Sequence, residues 1–179
     1  MSFSFSEETT FIIQNWGTIE KLLNSVQVFK NEFIKFFWSL EDLIRAKEWW
    51  SDEELEFNKV GQPQVYLSRK EWLNSIWIGV ERFTPENVLG ASDPAHCYLW
   101  VTGSKASFLA QDLSTIFKDK EEFKDYFVNR GGYVLKKFLS KYTEEEFQDF
   151  GSDDALQKIV YFMETVYLTI KDYKITSLT

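Results

Sequence analysis

Two short segments near the middle of the chain limit most strongly what it can fold into. Residues 76–82 and 97–102 are the runs richest in β-branched and aromatic side chains. Both patterns are typical of β-strands that are buried on both faces. Pro85, Gly90 and Pro94 lie between them, so we expect an antiparallel pair joined by a loop of roughly a dozen residues. This pair should form the middle of a small sheet.

Further strand signals flank this pair. Residues 64–68 have the composition of an edge strand and, through a turn at residues 69–71, lead back towards residue 76. The sequence therefore predicts a meander of three strands. Residues 133–139 indicate a fourth strand, although the spacing of their apolar side chains would also suit a helix.

The longest periodic pattern lies near the amino terminus, where apolar residues recur at steps of three and four. This stripe consists of Ile12, Trp16, Ile19, Leu23, Val26, Phe29, Phe33, Phe37, Leu40 and Ile44. It predicts one helix of more than about 25 residues, or two consecutive helices, lying on the core; residues 24–25 or 30–31 are the candidate breaks. A coiled-coil dimer is disfavoured, because the stripe is rich in Phe and Trp and lacks the alternation of Leu with Val or Ile.

Helical spacing returns in the second half of the chain. We expect a helix after the turn at residues 103–105, a short helix at residues 121–128, and a closing helix that begins near residues 151–154 and continues through Ile170. The resulting fold class is a single α+β domain spanning residues 1–179. In it, a mostly antiparallel sheet of three to four strands packs against a long N-terminal helix, or helix pair, and a C-terminal helix.

The composition is acidic and aromatic, with a net charge of −8 and 18% Phe, Trp and Tyr. Five acids and no base lie in residues 48–56, and six acids with one lysine lie in residues 141–154. Such patches keep an aromatic-rich protein soluble or meet a basic partner. Direct nucleic-acid binding is disfavoured, because the best basic clusters are only pairs: Lys136 with Lys137, and Lys118 with Lys120.

The expected location is the cytoplasm. Cys97 is the single cysteine, so an internal disulfide is excluded, and the first residues lack the basic region and apolar run of a signal peptide. No segment approaches about 18 uninterrupted apolar residues, so we expect no membrane span.

The motifs of the common catalytic chemistries are missing. His96 is the only histidine, so no zinc motif with two or more His and Cys ligands can form; we expect His96 in a loop and Cys97 as a buried small hydrophobe. No Gly-x-Ser-x-Gly or Gly-x-Gly-x-x-Gly motif occurs, and Gly103 and Lys105 lack the first glycine of a phosphate-binding loop. The sequence therefore predicts no cofactor, no bound metal and, on balance, no enzyme.

One carboxylate keeps an enzymatic alternative open. Glu81 ends an apolar strand, where a buried unpaired acid would be unfavourable. With Asp93 and Lys105 it is the candidate centre of a metal-dependent hydrolase or nuclease, active or degenerate. The usual acid and lysine separated by one residue are absent, because residue 83 is Phe. We therefore expect a salt bridge from Glu81 to a neighbouring Lys or Arg.

The same strands predict an aromatic site. On extended backbone Trp77, Gly79 and Glu81 share one face, and Tyr98 and Trp100 share one face of the facing strand. If the two faces coincide, the rings surround a glycine that leaves open space, with an acid at the rim. This arrangement would suit a planar or cationic ligand. The favoured alternative is a second core layer covered by the N-terminal helix.

The leading functional prediction is an acidic cytosolic protein-interaction module without catalytic activity. Regulators, inhibitors and immunity-type proteins share this charge and composition, which is an analogy only. Acids would steer a basic partner protein, and neighbouring aromatic residues would supply affinity. The predicted contact residues are Glu48, Trp49, Trp50, Asp52, Glu53, Glu54, Glu144, Glu145 and Glu146. The sequence leaves open whether the protein is a monomer or a homodimer.

Overall fold

A computed structural model of the chain describes residues 6–60, 64–89, 94–139 and 153–175. The helices are α1 (Glu7–Gln14), α2 (Trp16–Trp38), α3 (Leu40–Arg45), α4 (Pro85–Leu89), α5 (Ala106–Phe117) and α6 (Asp153–Ile170). The strands are β1 (Leu55–Lys59), β2 (Val65–Arg69), β3 (Ile76–Glu81), β4 (His96–Val101), β5 (Phe127–Arg130) and β6 (Tyr133–Phe138). Short 3₁₀ helices occupy Glu48–Ser51, Lys70–Trp72 and Glu121–Tyr126.

The strands form one antiparallel sheet in the order β1-β2-β3-β4-β6-β5. The predicted meander at residues 64–68, 76–82 and 97–102 and the fourth strand at residues 133–139 are confirmed. The sheet is larger than predicted, because six strands pair in the described part of the chain. The N-terminal half runs in chain order, whereas β6 enters between β4 and β5.

Two strands were missed, for different reasons. β1 begins at the end of the acidic segment 48–56, and its five residues showed no clear alternation of apolar and polar side chains. It pairs with β2, so β2 is not the predicted edge strand. The helix predicted at residues 121–128 is a 3₁₀ helix to Tyr126 followed by β5. Gly131 and Gly132 then turn the chain with φ of 62° and 90°, and tertiary pairing with β6 fixes the extended backbone that local sequence did not favour.

The core lies on one face of this sheet. Alternate residues of the central strands, such as Ile78 and Leu99, are fully buried there. They meet the apolar sides of α3, α5 and α6, which include Ile44, Leu113 and Met163. Cys97 is buried in the same cluster, as expected, and burial raises the pKa of its thiol to about 12.

The N-terminal helical segment departs most from the prediction. It forms three consecutive helices that break at Asn15 and Ser39, and α2 runs without interruption through residues 24–25 and 30–31. Only its C-terminal end lies on the core, where the Phe37 ring stacks on Phe83 with centroids 4.9 Å apart. The expectation that the whole stripe packs on the domain is therefore wrong. Periodicity identifies an amphipathic helix, but it does not say what covers the apolar side.

Within the described ranges, no helix combines the length and the apolar character needed to cross a membrane.

Candidate functional site

The second face of the central strands carries the candidate site. The pairing of β3 with β4 places Trp77 opposite Trp100 and Gly79 opposite Tyr98. The two faces identified from the sequence therefore coincide. Neighbouring strands extend the set, and we call the resulting surface the aromatic face: Tyr66, Trp77, Tyr98, Trp100 and Tyr133. None of these residues belongs to the core cluster or packs against it.

The rings of the aromatic face border a pocket, and two ring pairs meet there at steep angles, whereas Trp100 and Tyr133 are tilted by 35° at 6.4 Å. Trp77 and Trp100 lie 4.8 Å apart with an interplanar angle of 67°, and Tyr98 and Tyr133 lie 6.0 Å apart at 86°. Tyr66 stacks on Trp77 at 4.5 Å and 14°, so it supports that ring. The cavity has a volume of about 290 Å³ and is lined by Gln64, Trp77, Glu81, Tyr98, Trp100 and Tyr133. The favoured interpretation of a core layer beneath the N-terminal helix is wrong, because α2 packs on Phe83 instead.

Two glycines provide the space for these rings. A Cβ on Gly79 would lie 2.4 Å from the Val65 carbonyl oxygen and 2.8 Å from the Tyr98 hydroxyl. Gly79 therefore does not leave open space, as the sequence suggested, because Tyr98 already fills it. A Cβ on Gly132 would lie 2.4 Å from Trp100 Nε1. The sequence marked Gly132 only as a turn, so this second role was missed.

Glu81 lies at the side of the pocket as an ionised carboxylate. His96 Nε2 lies 2.7 Å from Glu81 Oε1, the Tyr133 hydroxyl donates to the same oxygen at 2.8 Å, and Arg82 Nε is 4.0 Å away. The hydrogen bond from His96 lowers the pKa of Glu81, burial opposes it, and the Tyr133 hydrogen bond adds to the lowering. Burial and the bond to Glu81 raise the pKa of Tyr133 to about 12. These three contacts of Glu81 all involve Oε1.

The partner of Glu81 was predicted as Lys or Arg, but its closest partner is His96. This histidine is fully buried as the first residue of β4, not exposed in a loop. Its Nδ1 lies 3.1 Å from the Pro94 carbonyl oxygen. Each ring nitrogen of His96 therefore lies close to an oxygen atom, Glu81 Oε1 on one side and the Pro94 carbonyl on the other. The pair links β3 to β4 through a polar contact that sequence spacing could not reveal.

Two other polar groups complete the lining. Gln64 Nε2 donates to the Tyr98 hydroxyl at 2.9 Å, and burial raises the pKa of Tyr98. The indole N–H of Trp77 is buried without a hydrogen-bond partner among the described residues. Trp77 Nε1 is thus closed off from a ligand, whereas the second carboxylate oxygen of the lining residue Glu81, Oε2, takes no part in the contacts described above.

The metal-centred alternative depends partly on residues outside the described ranges. Asp93 lies there, and Lys105 precedes α5 without lining the pocket. Among the residues that the structure describes, no group of three or more His, Cys, Asp and Glu side chains could hold a metal ion. The hydrolase or nuclease interpretation stays a prediction.

The acidic surface predicted to contact a protein forms a second depression. Trp49 and Trp50 are half-buried: Trp49 lies 5.2 Å from the Tyr167 ring, and Trp50 lies 4.8 Å from the Arg45 guanidinium. The adjoining cavity of about 560 Å³ is lined by Glu48, Trp49, Ser51, Asp52, Arg69, Glu164, Tyr167, Leu168, Lys171 and Asp172. Glu53 is exposed and Glu54 half-buried, whereas Glu144, Glu145 and Glu146 lie outside the described residues.

Asp52 makes several of the polar contacts in this depression. The Tyr167 hydroxyl donates to Asp52 Oδ2 at 2.5 Å, and Arg69 Nη2 lies 3.3 Å from the same oxygen. Burial raises the pKa of Asp52, but the hydrogen bonds from Tyr167 and the Glu54 amide and the charge of Arg69 outweigh it and lower the pKa. Arg69 and Tyr167 were not predictable as its partners, because they lie on a strand and a helix far from Asp52 in the chain.

Comparisons with protein-family models, with curated proteins and with solved structures find no match to this chain.

Proposed function

We propose that this protein is a ligand-binding module whose aromatic face binds a small organic cation of the alkylammonium type. The observation that supports the proposal is the pocket itself, in which four aromatic side chains and an ionised carboxylate converge on about 290 Å³. Aromatic ring faces attract cations through their quadrupoles, by about 0.5–2 kcal/mol per contact. No catalytic step is part of the proposal, and the compartment that it assumes is the cytoplasm.

The ring geometry favours a compact cation over a flat ring. A planar ligand needs two roughly parallel surfaces, but Trp77 meets Trp100 at 67° and Tyr98 meets Tyr133 at 86°. The one parallel stack, Tyr66 on Trp77, is already formed within the protein. A tetrahedral ammonium fits walls that meet at a corner, and its positive charge can approach Glu81 Oε2.

The neighbouring cations limit the expected affinity. Arg82 Nε lies 4.0 Å from Glu81 Oε1, and Lys136 Nζ lies 4.9 Å from the centroid of the Tyr133 ring, so both the carboxylate and one ring already have a cation beside them. We therefore expect choline, as a model ligand, to bind with a Kd between about 0.1 and 10 mM, equivalent to roughly 3–5 kcal/mol.

The test is a titration with choline followed by the indole N–H signals in two-dimensional NMR spectra. The signals of Trp77 and Trp100, assigned from single Trp→Phe variants, should shift with choline and much less with 3,3-dimethyl-1-butanol, its uncharged isostere. Equal shifts with the two compounds would show that the pocket recognises shape alone and would contradict the proposal. The proposal would also be rejected if the signals showed no saturable shift up to about 50 mM choline, because the largest Kd expected is about 10 mM.

Matched variants localise the binding. Glu81→Gln keeps the shape of the side chain but removes its charge, so we expect binding to weaken about tenfold, which corresponds to about 1.4 kcal/mol. Glu56→Gln, on β1 and outside the pocket lining, should leave the affinity unchanged. If both variants behave alike, the carboxylate of Glu81 has no part in binding.

A second candidate function is the predicted protein-interaction module, as a regulator, inhibitor or immunity-type protein. The observation that favours it is the depression beside Asp52, where Glu48, Glu164 and Asp172 line one cavity. Such a surface would steer a basic protein. A fluorescent oligo-arginine peptide serves as the probe: binding should fall with salt and in Glu48→Gln, but not in Glu121→Gln, an exposed acid elsewhere. Salt-independent binding would contradict this candidate.

The hydrolase or nuclease alternative needs its own experiment. Calorimetric titration with Mg²⁺ should give heat in the wild type and none in Glu81→Gln if the carboxylate holds a metal. No heat in the wild type would end that alternative.

A further inference from the structure

The apolar stripe of the N-terminal helices passes from the core into solvent. At its C-terminal end Phe33 and Phe37 are buried, with 4% and 1% of their surfaces exposed. Towards the N-terminus the same side of α1 and α2 remains uncovered. Six of its side chains are between 44% and 62% exposed: Phe11, Ile12, Trp16, Leu22, Leu23 and Val26. We call these six residues the exposed stripe.

We propose that the exposed stripe is a dimer interface, in which the N-terminal helices of one copy pack against those of a second copy about a two-fold axis. α2 alone has 23 residues, which gives it a length of about 35 Å. An amphipathic helix of that length normally has its apolar side covered. Contiguous exposed apolar surface on this scale is typical of an interface.

The exposed area is sufficient for a specific dimer. Aromatic side chains offer roughly 200 Å² each and the four aliphatic ones less, so six that are about half exposed contribute at most about 600 Å² per copy. Two copies would bury about 1,200 Å² in total, which reaches the lower end of the range for specific complexes. At ~25 cal/mol per Å² this surface is a strong driving force, from which the cost of association is subtracted.

The charge of the segment favours a second copy of the chain as the partner of the exposed stripe over a charged protein or a membrane surface. Between Thr9 and Phe29 the only charged residues are Glu20 and Lys21, so this segment is neutral although the chain carries −8. A neutral apolar side gives no electrostatic preference for a basic or an acidic partner. A membrane surface is disfavoured, because interfacial helices carry several Lys or Arg residues on the polar side and this segment has one. A second copy brings an equally neutral, equally apolar surface without repulsion.

The helices need not form a regular coiled coil. Phe11 and Trp16 of the exposed stripe do not match the Leu with Val or Ile alternation of two-stranded coiled coils, and Asn15, with φ of −111° and ψ of 13°, interrupts the helical segment. Aromatic side chains from the two copies would instead interdigitate over α1 and the first half of α2. The dimer is independent of the pocket, because none of the lining residues belongs to α1 or α2.

The test is sedimentation equilibrium of the full chain at protein concentrations between about 5 and 200 μM. These concentrations suit a weak dimer, because the expected interface area is at the low end of the range for specific complexes. Wild-type protein should approach twice the 21.2 kDa of one chain. Leu23→Glu with Val26→Glu places charges in the exposed stripe and should leave a monomer. Asn24→Glu with Ser25→Glu adds the same charges to exposed positions beside the stripe and should leave the dimer intact.

Any other sedimentation result contradicts the proposal that the exposed stripe is a dimer interface. A monomeric wild type at 200 μM would reject it, as would a dimer that survives the Leu23 and Val26 substitutions. Sedimentation of a monomeric wild type with anionic phosphatidylserine vesicles would assign the stripe to a lipid surface instead. Circular dichroism verifies that both double variants are folded. Choline titration of the monomeric variant separates this proposal from the proposed function, because the pocket should bind unchanged.

Discussion

The two faces of β3 and β4 come from the same two segments but differ in almost every physical respect. On the core face, Ile78 and Leu99 are aliphatic and fully buried, and they are held by packing alone. On the aromatic face, Trp77 and Trp100 are half-buried, and hydrogen bonds among Glu81, His96 and Tyr133 surround them. The difference indicates a division of roles: one face holds the domain together, and the other keeps rings and charges in fixed positions at the surface.

The largest expected change in the free energy of unfolding tests this division of roles between the two faces. Leu99→Ala removes fully buried methyl groups, leaves a cavity among packed neighbours, and should lower the free energy of unfolding by about 2–5 kcal/mol. Trp100→Leu on the opposite face should lower it by less, although the side chain removed is larger. Urea unfolding measures both variants. A greater loss from the Trp100 substitution would mean that the aromatic face is part of the structural core.

The next effect tests the space for Tyr98. Gly79→Ala places a methyl group within 3 Å of a backbone oxygen and of the Tyr98 hydroxyl, so we expect a loss of about 1–3 kcal/mol and weaker choline binding. Gly17→Ala provides the matched control: its Cβ would contact nothing within 4 Å, and in a helix the change should stabilise by about 0.5–1 kcal/mol. Equal effects in thermal unfolding would contradict the steric argument.

A smaller effect concerns the hydrogen bonds of Glu81. Tyr133→Phe removes a hydroxyl that donates to an ionised carboxylate, so stability should fall by about 1–2 kcal/mol. Tyr161→Phe removes an exposed hydroxyl from α6 and should change stability by less than about 0.5 kcal/mol. Urea unfolding at pH 7 measures both. An equal, negligible change would show that the Tyr133 hydrogen bond contributes nothing net.

The smallest expected effect is a pH dependence of the contribution that Glu81 makes to the free energy of unfolding. The pKa of Glu81 in the folded protein lies below its ordinary value of 4.5, mainly because His96 donates to it. Its stabilising contribution is therefore complete above the unfolded pKa and is lost as the pH falls through the folded pKa. Wild type and Glu81→Gln should differ most in free energy of unfolding above pH 4.5, and the difference should shrink as the pH falls below 4.5. A constant difference across this range would contradict the assigned pKa direction.

Much of the fold was predictable because it depends on local patterns. Alternation along residues 76–82 and 97–102 fixed both the strands and the side chains that share a face, including Trp77 with Glu81. Periodicity likewise identified the helix that ends at Ile170. β1 and β5 were not predictable, because the first shows no clear alternation and only pairing with β6 makes the second extended.

The sequence alone determined the class of fold, three residues of the aromatic face (Trp77, Tyr98 and Trp100) and the apolar stripe of α1 and α2, since periodicity depends only on the order of side chains along the backbone. The tertiary structure decided which side of each element is covered. It placed α3, α5 and α6 on the core face, brought His96 to Glu81, filled the space at Gly79 with Tyr98, and left the exposed stripe in solvent. The physical reason is that burial and charge pairing arise between segments far apart in the chain, where no local pattern records them.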